Sequence, residues 1–157
     1  MIELGSYWAF YSMWFLKDAN NGKVFLVDPS PKNLMHGMKN FSLNNLNGDF
    51  TCAFIAEKSY SKMNQIPTIS LDSFANEKDI QDISVLHVDI QGYELEMMKG
   101  AQKLFQDKKI QYIFLATHSK KLHFECLEFL EKINYNIITL SDKPKNKWED
   151  GFIFGTR

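Results

Sequence analysis

The sequence predicts an α/β protein, with a mostly parallel sheet, helices on both faces and an antiparallel hairpin at the terminal edge. Three observations carry this. Short β-rich runs alternate with helix-like stretches along most of the chain, and such alternation builds parallel sheets flanked by helices. The stretch Ser84 to Leu95 compresses a strand-like run (Val85 to Val88), an acid (Asp89), a glycine (Gly92) and the start of a helix into one α/β unit. The last two β runs, Asn136 to Leu140 and Gly151 to Phe154, have no helix between them, which suits a hairpin.

Taken in order, Ile2-Glu3-Leu4 reads as a strand closed by Gly5. Tyr7 to Lys17 reads as a helix with apolar residues on nearly every face, a pattern that predicts deep burial. Asn20-Asn21-Gly22 is a turn, and Lys23 to Val27 is a second strand stopped by Asp28-Pro29. Ser30 is an N-cap with Pro31 at the first helical position, and Leu34, Met38 and Phe41 follow at helical spacing. After the turn Asn44 to Gly48, Phe50 to Ile55 is a third apolar run. Glu57 to Pro67 is polar and irregular, the pattern of a mobile loop. Thr68 to Leu71 is extended, and Asp72 is placed to cap a short helix through Phe74 and Ala75. The helix after Asp89 contains Gly100, which costs about 1 kcal/mol against alanine and so predicts a close neighbour. Lys109 to Ala116 is a fifth strand ending at Thr117-His118, and Leu122, Cys126, Phe129, Leu130 and Ile133 form one helical stripe. A charged loop with Pro144, Trp148 and Asp150 joins the final strands.

The 157 residues predict a single domain over 1–157; its start almost inside the first strand leads to the expectation of an amino-terminal extension either missing or naturally absent. Lys+Arg 18 against Asp+Glu 19 gives −1, without the basic excess of a nucleic-acid binder. Tyr7 to Leu16 is too short to span a bilayer and has no basic leader. The expected location is the cytoplasm, with no membrane partner. Cys52 and Cys126 fit no metal spacing and read as reduced thiols, and no histidine or acid spacing predicts a metal.

The chemistry-bearing residues gather at strand ends, where open parallel sheets bind ligands. Glu3 and Gly5 end the first strand and Asp28 the second, 23 residues after Gly5. An acid there can accept from ribose hydroxyls, while a glycine lets backbone approach a ligand. Either acid could equally be an ordinary surface or turn residue. Gly5 is followed by Ser6, Tyr7, Trp8 and Ala9 rather than by a glycine fingerprint, so a smaller adenosine ligand suits the turn better than NAD. Asp89 and His118 end the fourth and fifth strands and can face one cleft. His118 is suited to take a proton near neutral pH, and Asp89 to orient it, to bind substrate hydroxyls or to hold a cation; helix capping and a solvated loop histidine are the plainer alternatives. Glu94 in a helix first turn has a sufficient local reason. His87 shares a face with Asp89, while His36 and His123 read as surface or core-filling residues.

Val88-Asp89-Ile90-Gln91-Gly92-Tyr93-Glu94, followed by Met97-Met98-Lys99-Gly100-Ala101, resembles the D-x-E-G-x-E…L-K-G-A hallmark of the FkbM family of S-adenosylmethionine-dependent methyltransferases. Glu3 to Ser12 resembles that family's first motif, Val27-Asp28-Pro29-Ser30-Pro31 its second, Thr68 to Phe74 its T-L-D segment, and Asp150 to Ile153 its terminal strand. The resemblance covers essentially the whole chain. It implies a class I methyltransferase (Rossmann-like) fold and S-adenosylmethionine as cofactor. Glu3, Gly5 and Asp28 would hold its methionine and ribose parts, Ala56 and Glu57 would flank the adenine, and Ser6, Tyr7, Pro29 and Asp89 are further cofactor-binding candidates. The family commonly methylates hydroxyls of sugars and metabolites. Ala9 stands in place of the family's usual glycine, Gln91 in place of a glutamate, and Thr117-His118 in place of an acid-x-His ending.

The expectation is therefore an O-methyltransferase with His118 and Asp89 as catalytic residues, acting on a small-molecule or carbohydrate acceptor. Tyr7, Trp8 and Tyr93 would suit flat or sugar-like molecules. An uncovered aromatic face would favour a homodimer. The alternative is a shortened, non-catalytic binding module that keeps the fold. A nucleotide-sugar or NAD enzyme is a third reading, opposed by the missing glycine fingerprint.

Overall fold

The computed structural model describes residues 1–19, 21–63, 66–141 and 151–157. Asn20 of the first turn and the charged loop with Pro144, Trp148 and Asp150 lie outside the described residues, as do Asn64 and Gln65.

The main sheet has seven strands: β1 (Ile2–Leu4), β2 (Phe25–Val27), β3 (Asp49–Thr51), β7 (Ile83–Val88), β8 (Ile110–Thr117), β9 (Asn136–Leu140) and β10 (Gly151–Thr156). Their order is β3-β2-β1-β7-β8-β10-β9. The first five are parallel, and β10 runs antiparallel between β8 and β9. The expected hairpin is therefore present, with its second strand tucked inward. The order reverses between β1 and β7, which pair Ile2 with Leu86 and Leu4 with Val88. Such a switch point leaves a crevice at the carboxyl ends of the strands.

Helices cover both faces. On one, α3 (Leu71–Glu77), α4 (Glu94–Lys99), α5 (Gln102–Gln106) and α6 (Lys120–Lys132) close the main core, in which Leu86, Val88, Leu115 and Ile153 meet Met97, Met98, Cys126 and Leu130. On the other, α1 (Phe10–Asp18) and α2 (Pro31–Leu43) close a smaller cluster of Ala9, Val24, Leu26 and Phe41. Ser30 caps α2 through Asn33, with Pro31 at its start, as expected. Leu34 and Phe41 are buried in that helix while Met38 is exposed, and Gly37 takes the inward position instead.

Four expectations are corrected. The helix from Tyr7 is not deeply buried. It starts only at Phe10, and Trp14 remains 58% exposed and Phe10 52%. These rings contact one another edge-on, and only Ser12 within α1 is fully buried. The run Phe50 to Ile55 is two strands in two sheets, β3 and β4 (Phe54–Ile55). The polar segment Glu57 to Pro67 is not simply a loop. It holds β5 (Tyr60–Met63) and the start of β6 (Ile66–Ile69), which join β4 in a small three-stranded sheet of order β4-β6-β5. Backbone pairing there needs no apolar alternation. Asp72 caps a helix, but not its own: Ser70 caps α3, while the Asp72 carboxylate accepts from Lys103 N at 2.9 Å and Leu104 N at 3.0 Å in α5.

Asp72→Ala should therefore cost about 1–2 kcal/mol through the lost cap, read as a lowered denaturation midpoint, whereas a merely local first-turn acid would leave it almost unchanged.

Gly100 ends α4 and has the close neighbour its cost required: a Cβ there would stand 2.3 Å from the Ala56 carbonyl oxygen.

Candidate active site

The crevice at the switch point is a cavity of about 530 Å³ lined by Gly5, Tyr7, Asp28, Pro29, Phe54, Ile55, Asp89 and Gln91, among others. Small-molecule sites occupy roughly 300–1,000 Å³. Apolar walls from Val27, Ala53, Phe54, Ile55 and Ile90 meet polar groups converging from three strand ends.

The turn after β1 is built around close approach. Gly5 has φ +74°, and a Cβ on it would lie 1.8 Å from the Asp89 carbonyl oxygen. Gly5 N–H and Ser6 N–H both donate to Val27 O, tying the turn to β2. Tyr7 and Ala9 also have positive φ, 46° and 68°. Ala9 occupies the usual glycine position at the cap of α1, and its methyl group is housed because α2 presents Gly37 opposite it.

Asp28 is 4% exposed. Its carboxylate accepts from Ser30 N at 2.8 Å, Tyr7 N at 3.0 Å and the Asn33 side-chain amide at 3.2 and 3.3 Å. It thus fastens the Tyr7 turn to the start of α2 while it lines the cavity.

Glu3, in the middle of β1, is 2% exposed and accepts from Ser12 N at 2.9 Å. Ala9 cannot cap α1 with its side chain, so Glu3 does this from the sheet. Burial pushes the Glu3 carboxyl up to about 7, against smaller opposing effects of its Ser12 and Tyr11 hydrogen bonds. Because the folded state holds this proton more tightly than the unfolded chain, stability is highest below about pH 4.5 as far as Glu3 is concerned and is lost as pH rises to about 7. Glu3→Gln should flatten that part of the stability profile, measured by urea midpoints across this window. An unchanged slope would show that Glu3 is not the buried acid responsible.

Asp89 and His118 meet as expected: His118 Nε2 lies 3.1 Å from Asp89 Oδ1. The hydrogen bond with His118 is the main cause holding the Asp89 carboxyl below its ordinary range. Gln91 adds its side-chain amide, 3.0 Å from Asp89 Oδ1 and 2.8 Å from His118 Nε2. Behind the ring stands Glu94, wholly buried, with Oε1 2.8 Å from His118 Nδ1 and accepting from Gly92 N at 3.1 Å. Gln91 and Gly92 have φ +56° and +103°, and this double reversal brings α4 back against β8.

Gly5, Tyr7, Asp28, Pro29 and Asp89 thus share one cavity, and His118 joins it through Asp89 and Gln91. Glu3, Ser6, Ala56 and Glu57 do not line it. Ser6 is buried. Ala56 N–H bonds Ile69 O and its carbonyl lies against Gly100, so the chain turns away there, and the wall falls to Ala53, Phe54 and Ile55 instead. Glu94 and Asn33 were missed, as were the wall residues Ala53, Phe54 and Ile55. Three-residue spacing to Ser30 marks Asn33, and the first-turn acid after a glycine turn marks Glu94.

Other titratable groups stand apart. His87 stacks on Tyr11 with centroids 4.1 Å apart, and burial lowers its pKa. His36 is exposed, while His123 is buried with Nδ1 2.9 Å from Thr117 Oγ1. Burial pushes the Cys126 thiol up to about 12, and Cys52 is also free. Among the described residues, no group of three or more His, Cys, Asp or Glu is arranged to hold a metal ion, and no helix is long and apolar enough to cross a membrane.

The strand order, the antiparallel β10 and the crevice at the β1/β7 switch define a class I methyltransferase fold. The chain belongs to the family described as methyltransferase FkbM domain, whose sequence model matches residues 50–137. The first two motifs, at Glu3 to Ser12 and Val27 to Pro31, precede that matched segment. A search of curated proteins found no match. Among solved structures, the chain is similar to methyltransferase FkbM from Methylobacillus flagellatus KT, with TM-score 0.69, 19% identity, and coverage of 98% of this chain and 42% of that one. The chain therefore spans less than half of that protein's length. It is also similar to the N-terminal domain of human METTL16 in complex with SAH (TM-score 0.63, 15% identity, 99% of this chain and 60% of that one). M. capricolum TrmK in complex with S-adenosyl-homocysteine gives TM-score 0.63 at 16% identity, covering 99% of this chain and 60% of that one.

Proposed function

We propose that the chain is an S-adenosylmethionine-dependent O-methyltransferase acting on a hydroxyl of a sugar, glycan or small metabolite. The observation that carries this reading is the convergence of Gly5, Asp28 and Asp89 on one cavity, with His118 hydrogen-bonded at its edge. The cavity chemistry fits the cofactor: Gly5 and Asp28 offer a close backbone turn and an acid, and Phe54 and Ile55 offer an apolar wall. When bound, S-adenosylmethionine supplies an electrophilic methyl group on a sulfonium. Tyr7, Asp28 and Pro29 would hold it, and Asp89 would mark the acceptor side. His118 takes the acceptor's hydroxyl proton, which makes the oxygen a better nucleophile, and Asp89 stands beside the ring to stabilise the charge it gains.

Two features favour a hydroxylated small molecule over nucleic acid. Asp89 and Glu94 make the reactive edge acidic, which repels phosphates, and the chain carries no basic excess. The exposed rings of Tyr7 and Tyr93 offer flat faces on the cavity, with Trp8 packed against Tyr7 outside its lining. Tritium-methyl S-adenosylmethionine offered with a panel of sugars and, separately, with total tRNA tests this. Label on sugar oxygen supports the reading, and label on tRNA alone overturns the acceptor class.

A second reading, a non-catalytic binding module, is favoured by one observation: both Asp28 oxygens already accept from groups of the chain itself.

A further inference from the structure

The His118 ring lies between carboxylates from two places. Glu94 Oε1 faces Nδ1 at 2.8 Å, and Asp89 Oδ1 faces Nε2 at 3.1 Å. The two contacts differ in kind. Glu94 is fully buried, and its Oε1 is fixed from the other side by Gly92 N–H. Its Oε2 is buried with no hydrogen-bond partner among the described residues. Desolvation of an ionised carboxylate is costly unless donors meet it, so the Nδ1 proton is one this residue strongly demands. Asp89 is half-exposed at the cavity wall and has a second donor in Gln91. It can lose the ring's proton without being stranded.

Gln91 points the same way. Asp89 Oδ1 only accepts, so the Gln91 atom 3.0 Å from it is the amide nitrogen. The same nitrogen is 2.8 Å from His118 Nε2 and donates to a lone pair there when the ring is neutral. A glutamate at 91 would set a third carboxylate at this edge and favour the charged ring.

We propose that Glu94 is a positioning residue that holds His118 in its Nδ1–H form, so that Nε2, on the cavity side, is the nitrogen that exchanges protons. This rests on the reading of His118 as the base. In methyl transfer the acceptor oxygen would gain its bond to the methyl carbon as the carbon–sulfur bond breaks and S-adenosylhomocysteine leaves, and the hydroxyl proton would pass to the Nε2 lone pair as Gln91 gives that lone pair up. The resulting imidazolium is flanked by Glu94 and Asp89 and later releases the Nε2 proton to water. On α6, Cys126 lies near enough to feel both Glu94 and Glu125, and its high thiol pKa keeps it neutral beside the carboxylate.

The test reads the ring directly. Protein labelled with ¹⁵N-histidine gives signals for both nitrogens of each of the four histidines, and loss of one set in His118→Gln assigns His118. In the neutral ring, the Nδ1–H form should exceed the Nε2–H form by at least about tenfold, and Glu94→Gln should remove about a tenfold bias, equivalent to 1.36 kcal/mol. Wild-type protein with Nε2–H, or a ratio unmoved by Glu94→Gln, overturns the proposal. Should Glu94→Gln fail to fold, Asp89→Asn serves: it leaves Glu94 in place and must keep Nδ1–H, and a switch to Nε2–H overturns the proposal equally. The measurement uses neither methyl donor nor acceptor. A chain that fails to bind S-adenosylmethionine but keeps the Nδ1–H ring therefore sinks the proposed function and not this assignment.

Discussion

Gly5→Ala will lower the melting temperature by at least about 10 °C, because the added methyl group collides with backbone rather than with a side chain that can turn aside. The Cβ would stand 1.8 Å from the Asp89 carbonyl oxygen. The ends of β1 and β7 must then separate, which breaks the bond from Asp89 N–H to Leu4 O and strains that from Gly5 N–H to Val27 O. Each buried backbone group left unpaired costs about 1–3 kcal/mol, and φ +74° adds about 1–2 kcal/mol for an L-residue. The total of about 4 kcal/mol is a large fraction of the 5–15 kcal/mol that holds a domain folded. Gly92→Ala is the control. Its φ is +103°, yet nothing lies within 4 Å of the added atom. It should show backbone strain alone, and equal melting shifts for the two variants would contradict the close crossing at Gly5.

His118→Gln is expected to lower turnover by about 10²–10⁴-fold, the range for loss of a general base, while S-adenosylmethionine affinity stays within a few-fold. The separation follows from position. His118 touches the cavity through Asp89 and Gln91 and is not part of the wall formed by Gly5, Asp28 and Phe54. Single-turnover rates with calorimetric affinities check both halves. A variant that loses affinity and rate together would make His118 a structural support for the cavity, and one that keeps full rate would remove it from the chemistry.

The parallel sheet, its reversed last strand and the meeting of Asp89 with His118 were legible in the sequence, because strand ends in a βα alternation converge on one edge whatever the side chains between them. The small sheet around Ile66 was not: its segment lacks the apolar alternation that betrays strands packed on a core. The exposure of Trp14 was hidden for the opposite reason. Apolar residues all round a helix imply cover on every side, and a sequence does not say where that cover stops. Glu94 was missed because a first-turn acid already has a local explanation, whereas its partner His118 lies 24 residues further on in the neighbouring strand end. Ala9 departs from the family's usual glycine, and Gly37 on α2 makes room for it. Compensation of this kind is written in two distant residues and becomes visible only when they are brought into contact.

Calorimetric titration of the purified, folded chain with S-adenosylmethionine and S-adenosylhomocysteine tests the central claim most directly. The account predicts saturable one-to-one binding of both, weakened by Asp28→Ala. Absence of heat with either ligand, from a chain whose cooperative thermal unfolding shows that it is folded, would contradict it and leave the cavity between Gly5, Asp28 and Asp89 without its assigned occupant.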